Sequence, residues 1–214
     1  MARPAIPYNH LESLGVTVTS PARRVFTGLS TIFALGAFGA ALVPVSAAQA
    51  DLIGGCSPSA LSHPFAPWGD SSSYELVPGG DFESPAWTLT GGAQLTAGSE
   101  PYAATGTLGS WSLSLPAGSS AESPSTCVDA TYPTVRFFLA GSGTVEVSVV
   151  DHGLAIPAGV AIAPGDWQPT AVILTESPLL GLLSGGTAQV SLRLTALTGD
   201  PQVDDVFIDP WNRG

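Results

Sequence analysis

Hydrophobic and polar residues alternate with a period of two through much of the chain after residue 50. This spacing is typical of β-strands that bury one face and expose the other. In the segment 144–150, for example, Val145, Val147 and Val149 share one face. Comparable alternation predicts strands at 110–115 and 188–194, and weaker patterns predict strands at 73–77, 86–90, 94–97, 134–140, 168–175 and 203–208.

Short clusters of Gly, Pro, Asp and Ser stand between these segments and favour tight turns. A helix is predicted only at 178–183, as a single turn. About nine or ten short strands separated in this way predict an all-β fold, a two-sheet antiparallel sandwich of the jelly-roll type, over residues 74–214. We expect Trp87 and Trp111, which fall within strand patterns, to lie in its core.

The first 50 residues have the order of a secretion signal. Residues 23–24 are both arginine, residues 25–45 are apolar and interrupted only by small residues, and residues 48–50 are the triplet Ala-Gln-Ala. The arginine pair and the two residues after it also resemble the twin-arginine export motif. We therefore expect a protein that is secreted or held at the cell surface, with a mature chain that begins at Asp51.

Two other interpretations of this region stay open. The apolar stretch is long enough to span a bilayer as an uncleaved anchor, and contact with a membrane is expected only in that case. The segment 53–56, Ile-Gly-Gly-Cys, resembles a lipoprotein signal, although Asp51 separates it from the apolar stretch. Lipidation there would leave Cys127 without a partner, which is unusual in an exported protein.

The chain contains two cysteines, Cys56 and Cys127. In an exported chain the simplest prediction is that they form a disulfide bond. A bridge that closes about 70 residues would stabilise the fold by roughly 4 kcal/mol through loss of unfolded-chain entropy. It would tie an irregular N-terminal arm, residues 51–73, to the sandwich. A catalytic or metal-binding thiol is the alternative, but no histidine or further cysteine lies near either one in sequence.

Charge excludes one class of function. Residues 51–214 carry 16 carboxylates and three arginines, a net charge of −13, and the chain has no lysine. Such a chain has no basic patch with which to neutralise phosphates, so we expect no nucleic-acid partner. The acidity favours solubility and could attract cations or basic partners.

No set of residues with catalytic spacing stands out, so we expect a protein that is not an enzyme. His63 precedes a proline and His152 lies in a predicted turn, and neither has metal-ligand spacing to another histidine. The Gly-x-Ser-x-Gly signature of many hydrolases is not present. A hydrolase whose site is assembled only in space stays open as an alternative.

Two segments together resemble a known fold family. Residues 77–83 read Val-Pro-Gly-Gly-Asp-Phe-Glu and are followed by Trp87, and residues 203–208 read Val-Asp-Asp-Val-Phe-Ile. They resemble the opening and closing strands of the galactose-binding-like jelly roll found in many carbohydrate-binding modules. Segments 64–70 and 127–138 also resemble small exported proteins of actinobacteria.

The resemblance implies a structural calcium ion where the first and last strands meet, with Asp81, Glu83, Asp204 and Asp205 as candidate ligands. The residues offer a separate reason to consider it. Because Asp204 and Asp205 are adjacent in a strand, whichever face is inward carries a carboxylate, and an unpaired buried carboxylate is costly. A hard cation with oxygen ligands would stabilise it. The alternative is a bulge that exposes one aspartate while the other caps backbone amides.

Aromatic residues in loops offer a binding surface. Sugar-binding modules stack rings on the apolar faces of sugars beside polar hydrogen-bonding groups. Trp68, Tyr102, Tyr132 and Trp167 stand next to Gly, Pro, Asp or Glu and are the candidate ligand-binding residues. The alternative for each is a ring that covers the edge of the sandwich.

The sequence therefore predicts an exported, non-catalytic β-sandwich that binds carbohydrate at or outside the cell surface. A structural or protein-interaction domain of the cell envelope, with no sugar ligand, is the second hypothesis, and the hydrolase is the third. Neither the sugar nor the oligomeric state is indicated by the residues.

Overall fold

A computed structural model describes residues 60–129, 134–175 and 187–209. Four predicted features lie outside these ranges: the signal at 1–50, the helical turn at 178–183, Cys56 and Tyr132. Within the three described ranges, no helix is long and apolar enough to cross a membrane.

The described residues form strands joined by short turns, with one 3-10 helix at Ala66–Trp68. The strands are β1 (Leu61–Ser62), β2 (Tyr74–Leu76), β3 (Thr88–Thr90), β4 (Gln94–Ala97), β5 (Trp111–Ser114), β6 (Ser120–Glu122), β7 (Thr126–Asp129), β8 (Thr134–Gly141), β9 (Gly143–Asp151), β10 (Leu154–Ile162), β11 (Gly165–Pro169), β12 (Ile173–Leu174), β13 (Thr187–Gly199) and β14 (Gln202–Asp209).

The strands make two antiparallel sheets. In the first sheet β14 is central, with β8 along one edge and with β5 and β2 sharing the other; β4, β1, β11 and β12 complete it. The second sheet has the order β10-β9-β13-β6-β3, and β7 also pairs with β13. This arrangement confirms the predicted all-β sandwich of the jelly-roll type.

The alternating residues fill the space between the sheets. Val145, Val147 and Val149 of β9 are buried, and they share one core with residues of β8 and β14 such as Phe137 and Val203. Each such side chain contributes roughly 1.5–3 kcal/mol by leaving water. The period of two therefore predicted the core-facing positions of this strand correctly.

The two tryptophans that were predicted to lie in the core differ in burial. Trp87 is buried as predicted, and its indole N–H donates to the Pro78 carbonyl at 3.1 Å. Trp111 is 43% exposed, so its predicted place in the core is wrong. It is the first residue of β5 and pairs with Ala97, the last residue of the edge strand β4. The period-two pattern therefore extends beyond the part of β5 that the core covers.

The outward face of the first sheet carries a second layer, which we call the outer aromatic cluster: Phe65, Tyr74, Phe138 and Phe207. Phe65 stacks on Phe138 with ring centroids 5.6 Å apart and meets Tyr74 and Phe207 edge-on. Since Phe65 comes from the predicted N-terminal arm, the arm lies across this face. It is less irregular than predicted, because it contains β1 and the 3-10 helix.

An ion pair also holds the arm. Arg136 Nη1 donates to Asp70 Oδ2 at 2.7 Å, and the guanidinium lies 4.3 Å from the centre of the Phe65 ring. The predicted second tie to the arm is the disulfide bond. Cys127 lies on β7 and is not a free thiol; because Cys56 is not among the described residues, their pairing stays a prediction.

Candidate functional site

A groove of about 440 Å³ opens on the outward face of the first sheet. It lies between β11, the end of β8 and the loop that follows β4. Its lining includes Pro101, Tyr102, Ala140, Asp166, Trp167 and Gln202. Aromatic rings beside a carboxylate and an amide are the mixture that small polar ligands require, and the volume falls within the range of small-molecule sites.

Two aromatic residues form the wall of this groove. The Tyr102 hydroxyl donates to the Trp167 carbonyl at 2.8 Å and lies 3.3 Å from Gln168 Nε2, which donates to it. The Tyr102 ring packs edge-on against Trp68, with centroids 4.9 Å apart, and in a tilted arrangement against Phe138 of the outer aromatic cluster, with centroids 5.6 Å apart. Tyr102 is nevertheless 41% exposed, so its orientation is fixed while part of its ring faces solvent.

The loop that carries Tyr102 is held by a buried carboxylate. Glu100 is 1% exposed, and its carboxylate accepts hydrogen bonds from the backbone N–H groups of Tyr102 and Ala104. These bonds support a tight turn in which Ala103 has a φ of 54°, a left-handed conformation that is uncommon for alanine. Glu100 thereby sets the position of Tyr102.

The same loop is bonded to the central strand β14. Ser99 Oγ and the Glu100 N–H donate to Asp204 Oδ2 at 2.7 and 2.9 Å, and the Asp205 N–H donates to Asp204 Oδ1. The pairing of β14 with β8 is irregular between Asp204 and Phe207. Asp205 has a φ of 46° at this bulge. The alternative foreseen for this strand is thus partly correct: there is a bulge and Asp204 caps backbone amides, but both aspartates are buried.

Three carboxylates, from Glu100, Asp204 and Asp205, are therefore buried together behind the groove. Burial raises the pKa of Asp204 to about 6, against the hydrogen bonds from Ser99, Glu100 and Asp205 that lower it. Burial also raises the pKa of Asp205 to about 8, and the charges of Asp204, Glu100 and Asp81 add to the rise. The cluster thus retains protons at a pH where exposed carboxylates have lost them.

The four residues predicted to hold calcium do not form one site in this structure. Glu83 Oε1 accepts the backbone N–H groups of Ser110 and Trp111 at 2.6 and 2.9 Å. Both Asp204 oxygens accept hydrogen bonds, as described above. Among the residues the structure describes, no group of three His, Cys, Asp or Glu side chains is arranged to hold a metal ion. Calcium binding by these four residues stays a prediction.

The structure brings together three of the four predicted ligand-binding aromatics: Trp68, Tyr102 and Trp167. Tyr132 is outside the described ranges. The two histidines considered for a hydrolase lie apart from the groove lining. His63 Nδ1 is 3.1 Å from the Ser72 carbonyl oxygen, and His152 pairs with Asp151 at the β9–β10 turn.

Sequence reasoning missed the polar residues of the site. Asp166 had a usable signal, because an acidic residue directly precedes the candidate Trp167 in a predicted turn. Gln202 and Glu100 had none, because their roles depend on contacts with residues distant in sequence. Glu100 and Asp204, for example, are 104 positions apart.

A second groove, of about 350 Å³, lies between β10 and the segment 170–173 and differs in character. Val160, Ile162 and Val172 line it and are each about half exposed or more, and the lining contains no charged side chain. It offers few partners for sugar hydroxyl groups. The aromatic groove is therefore the better candidate for a polar ligand.

The chain matches no protein-family model and no curated protein sequence. Its fold is similar to several solved structures. The C-terminal CBM6 of LamC, a marine laminarinase from Zobellia galactanivorans, is 11% identical, with 64% of this chain and 98% of that chain covered and a TM-score of 0.44.

Two further structures show the same degree of similarity. The CBM22-1–GH10 modules of Clostridium thermocellum endo-1,4-β-D-xylanase 10B, complexed with xylohexaose, are 17% identical, with coverage of 65% and 28% and a TM-score of 0.45. A carbohydrate-binding module of Cellvibrio mixtus lichenase 5A, in complex with cellotriose, is 14% identical, with coverage of 64% and 98% and a TM-score of 0.42. Identities and TM-scores this low do not establish a shared function or ligand.

Proposed function

We propose that this chain is an exported, non-catalytic β-sandwich that binds carbohydrate in the groove walled by Tyr102 and Trp167. The observation that carries the proposal is that both residues are held in place at the groove: the Tyr102 hydroxyl donates to the backbone carbonyl of Trp167, and Trp167 packs, partly buried, against the outer aromatic cluster. Rings that are oriented before the ligand arrives lose little conformational entropy on binding. Such rings suit the flat apolar faces of sugars.

The polar lining suits the other half of a sugar's chemistry. The Asp166 carboxylate can accept hydrogen bonds, and the Gln202 amide can both donate and accept them. Sugar hydroxyl groups need partners of this kind, because an unpaired hydroxyl that leaves water weakens binding. The groove therefore combines a stacking surface with hydrogen-bonding groups on one side of a rigid sheet.

Trp167→Ala is expected to weaken glycan binding at least about 30-fold, which corresponds to about 2 kcal/mol for an aromatic residue at the centre of a site. The measurement is a glycan-array screen of residues 51–214, followed by calorimetric titration of the best neutral oligosaccharide. Trp111→Ala is the matched control, because Trp111 is an exposed tryptophan that does not line the groove. It is expected to leave the affinity within about twofold.

Equal losses in the two variants would place the ligand elsewhere on the sandwich. Failure of every glycan to bind the wild-type domain would reject the proposal and favour the structural or protein-interaction hypothesis. Circular dichroism of both variants establishes that a loss of binding does not come from unfolding.

Export is the part of the proposal that rests on sequence alone. The order of arginine pair, apolar stretch and small-residue triplet supports cleavage before Asp51. Intact-mass analysis of the protein collected from the medium or cell surface is expected to give a chain that begins at Asp51. A chain that retains residues 1–50 would indicate an uncleaved anchor instead.

A further inference from the structure

The charge of the groove indicates which class of glycan it prefers. Asp166 is an exposed carboxylate in the lining, directly next to Trp167 in sequence. The groove lining contains no arginine, lysine or histidine. The single formal charge among the lining residues is therefore negative, and it belongs to the residue that directly precedes Trp167.

The positive charges that the structure describes are engaged elsewhere. Arg136 is paired with Asp70 and also donates from Nε to the Thr170 carbonyl at 2.9 Å. Arg193 is paired with Glu122 on the second sheet. Neither arginine lines the groove, so neither can neutralise an anionic ligand bound there.

We infer that the groove prefers glycans that carry a free, protonated amino group over neutral glycans, and that it rejects glycans that carry carboxylate or sulfate groups. This inference rests on the proposed function. A sugar ammonium group donates three hydrogen bonds and carries a positive charge, so it pairs with the Asp166 carboxylate. An ammonium group near an indole face is also attracted by the electrons of the ring.

The charge of the whole domain acts in the same direction. A net charge of −13 over residues 51–214 raises the local concentration of cations and repels anions. This long-range effect is screened by salt, whereas the pairing with Asp166 acts at contact distance. The two contributions can therefore be separated by a point substitution.

The test is calorimetric titration of the wild-type domain with glucosamine oligomers at mildly acidic pH. N-acetylglucosamine oligomers and cello-oligosaccharides of the same length serve as neutral ligands, and oligogalacturonate serves as the anionic one. We expect the glucosamine oligomer to bind about five- to tenfold more tightly than the neutral ligands, since one exposed charge pair contributes about 1 kcal/mol. Oligogalacturonate is expected to bind much more weakly than any of them.

Two variants decide whether Asp166 is responsible. At a salt concentration that screens the long-range charge, the ratio of amino-glycan to neutral-glycan affinity in Asp166→Asn is expected to fall to about one. In Glu146→Gln, which removes one charge from β9 of the second sheet, the ratio is expected to be unchanged. A preference that persists in Asp166→Asn overturns the inference.

The outcomes separate the two proposals. Neutral glycans that bind as tightly as the amino glycan, or an oligogalacturonate that binds best, would overturn the amino-sugar preference and leave carbohydrate binding in place. If no glycan of any charge binds the wild-type domain, both proposals fail.

Discussion

Phe65→Ala is expected to lower the free energy of unfolding by about 3–5 kcal/mol, the usual cost of deleting a buried phenylalanine ring. Phe65 is 0% exposed and contacts three other rings of the outer aromatic cluster. The substitution also removes the ring beneath the Arg136 guanidinium. Among the described residues of the arm, Phe65 carries the one buried aromatic ring.

Chemical denaturation followed by tryptophan fluorescence measures this loss. Phe65→Leu retains most of the volume and is expected to cost less than about 1.5 kcal/mol, and Val160→Ala, at an exposed site, less than about 0.5 kcal/mol. A loss below 1 kcal/mol in Phe65→Ala would contradict the account in which the arm is part of the folded layer. Trp68 follows Phe65 in the arm, so release of the arm would also shift its emission to the red.

The stability of the domain is expected to fall as the pH rises from mildly acidic to alkaline. Asp204 and Asp205 have raised pKa values, about 6 and about 8, so the folded state binds protons that the unfolded chain releases. Their contribution is complete below the unfolded pKa of about 4 and is lost as the pH passes through the folded values. We expect a total loss of several kcal/mol between these limits.

At more acidic pH the dependence of stability on pH reverses, and stability falls as the pH is lowered. Burial raises the pKa of Asp70, but hydrogen bonds from Arg136, Ser72 and Tyr74 outweigh it and hold the pKa at about 2. A lowered pKa stabilises the fold above the unfolded value and ceases to do so as the pH falls through about 2. The melting temperature should therefore be highest near the unfolded pKa of a carboxyl group.

Asp205→Asn is the variant that tests the alkaline limb. Asparagine tolerates the left-handed backbone at this position and carries no charge, so the variant should be more stable than the wild type at alkaline pH by roughly 2–4 kcal/mol. Asp200→Asn, at an exposed turn, is the control and should leave the pH dependence unchanged. Thermal melts are run with a chelator present. A melting temperature that does not change with pH would contradict the raised pKa values of Asp204 and Asp205. A melting temperature that is lower with the chelator than without it would support the calcium prediction.

The strands that could be predicted are those whose own side chains alternate. The segment 94–97 is β4 as predicted; β8 is one residue longer than the predicted 134–140, and β14 is one residue longer at each end than the predicted 203–208. β10 was missed because Pro157 and Gly159 interrupt it, and Ile162 is 76% exposed. It is an edge strand, so its conformation follows from pairing with β9 rather than from a pattern of its own.

In the site, as in the strands, only the features that neighbouring residues determine could be predicted from the sequence. Loop aromatics beside turn residues could be identified as candidates, and three of them do meet. Their meeting depends on Glu100 and Asp204, whose contact joins a loop to a strand far along the chain. The bulge at Asp205 adds one residue to β14, so the inward positions change from Val203 to Val206 and Ile208, a shift of one that strict alternation does not predict.

Fluorine NMR of the domain labelled with 5-fluorotryptophan locates the bound sugar among the tryptophans. Resonances are assigned by single Trp→Phe variants, and the domain is titrated with its best oligosaccharide ligand. Because the sugar is proposed to bind in the groove, the largest shift is expected at Trp167, a smaller one at Trp68, and none at Trp87 or Trp111. The largest shift at Trp111, or no shift at any tryptophan, would contradict binding in the groove.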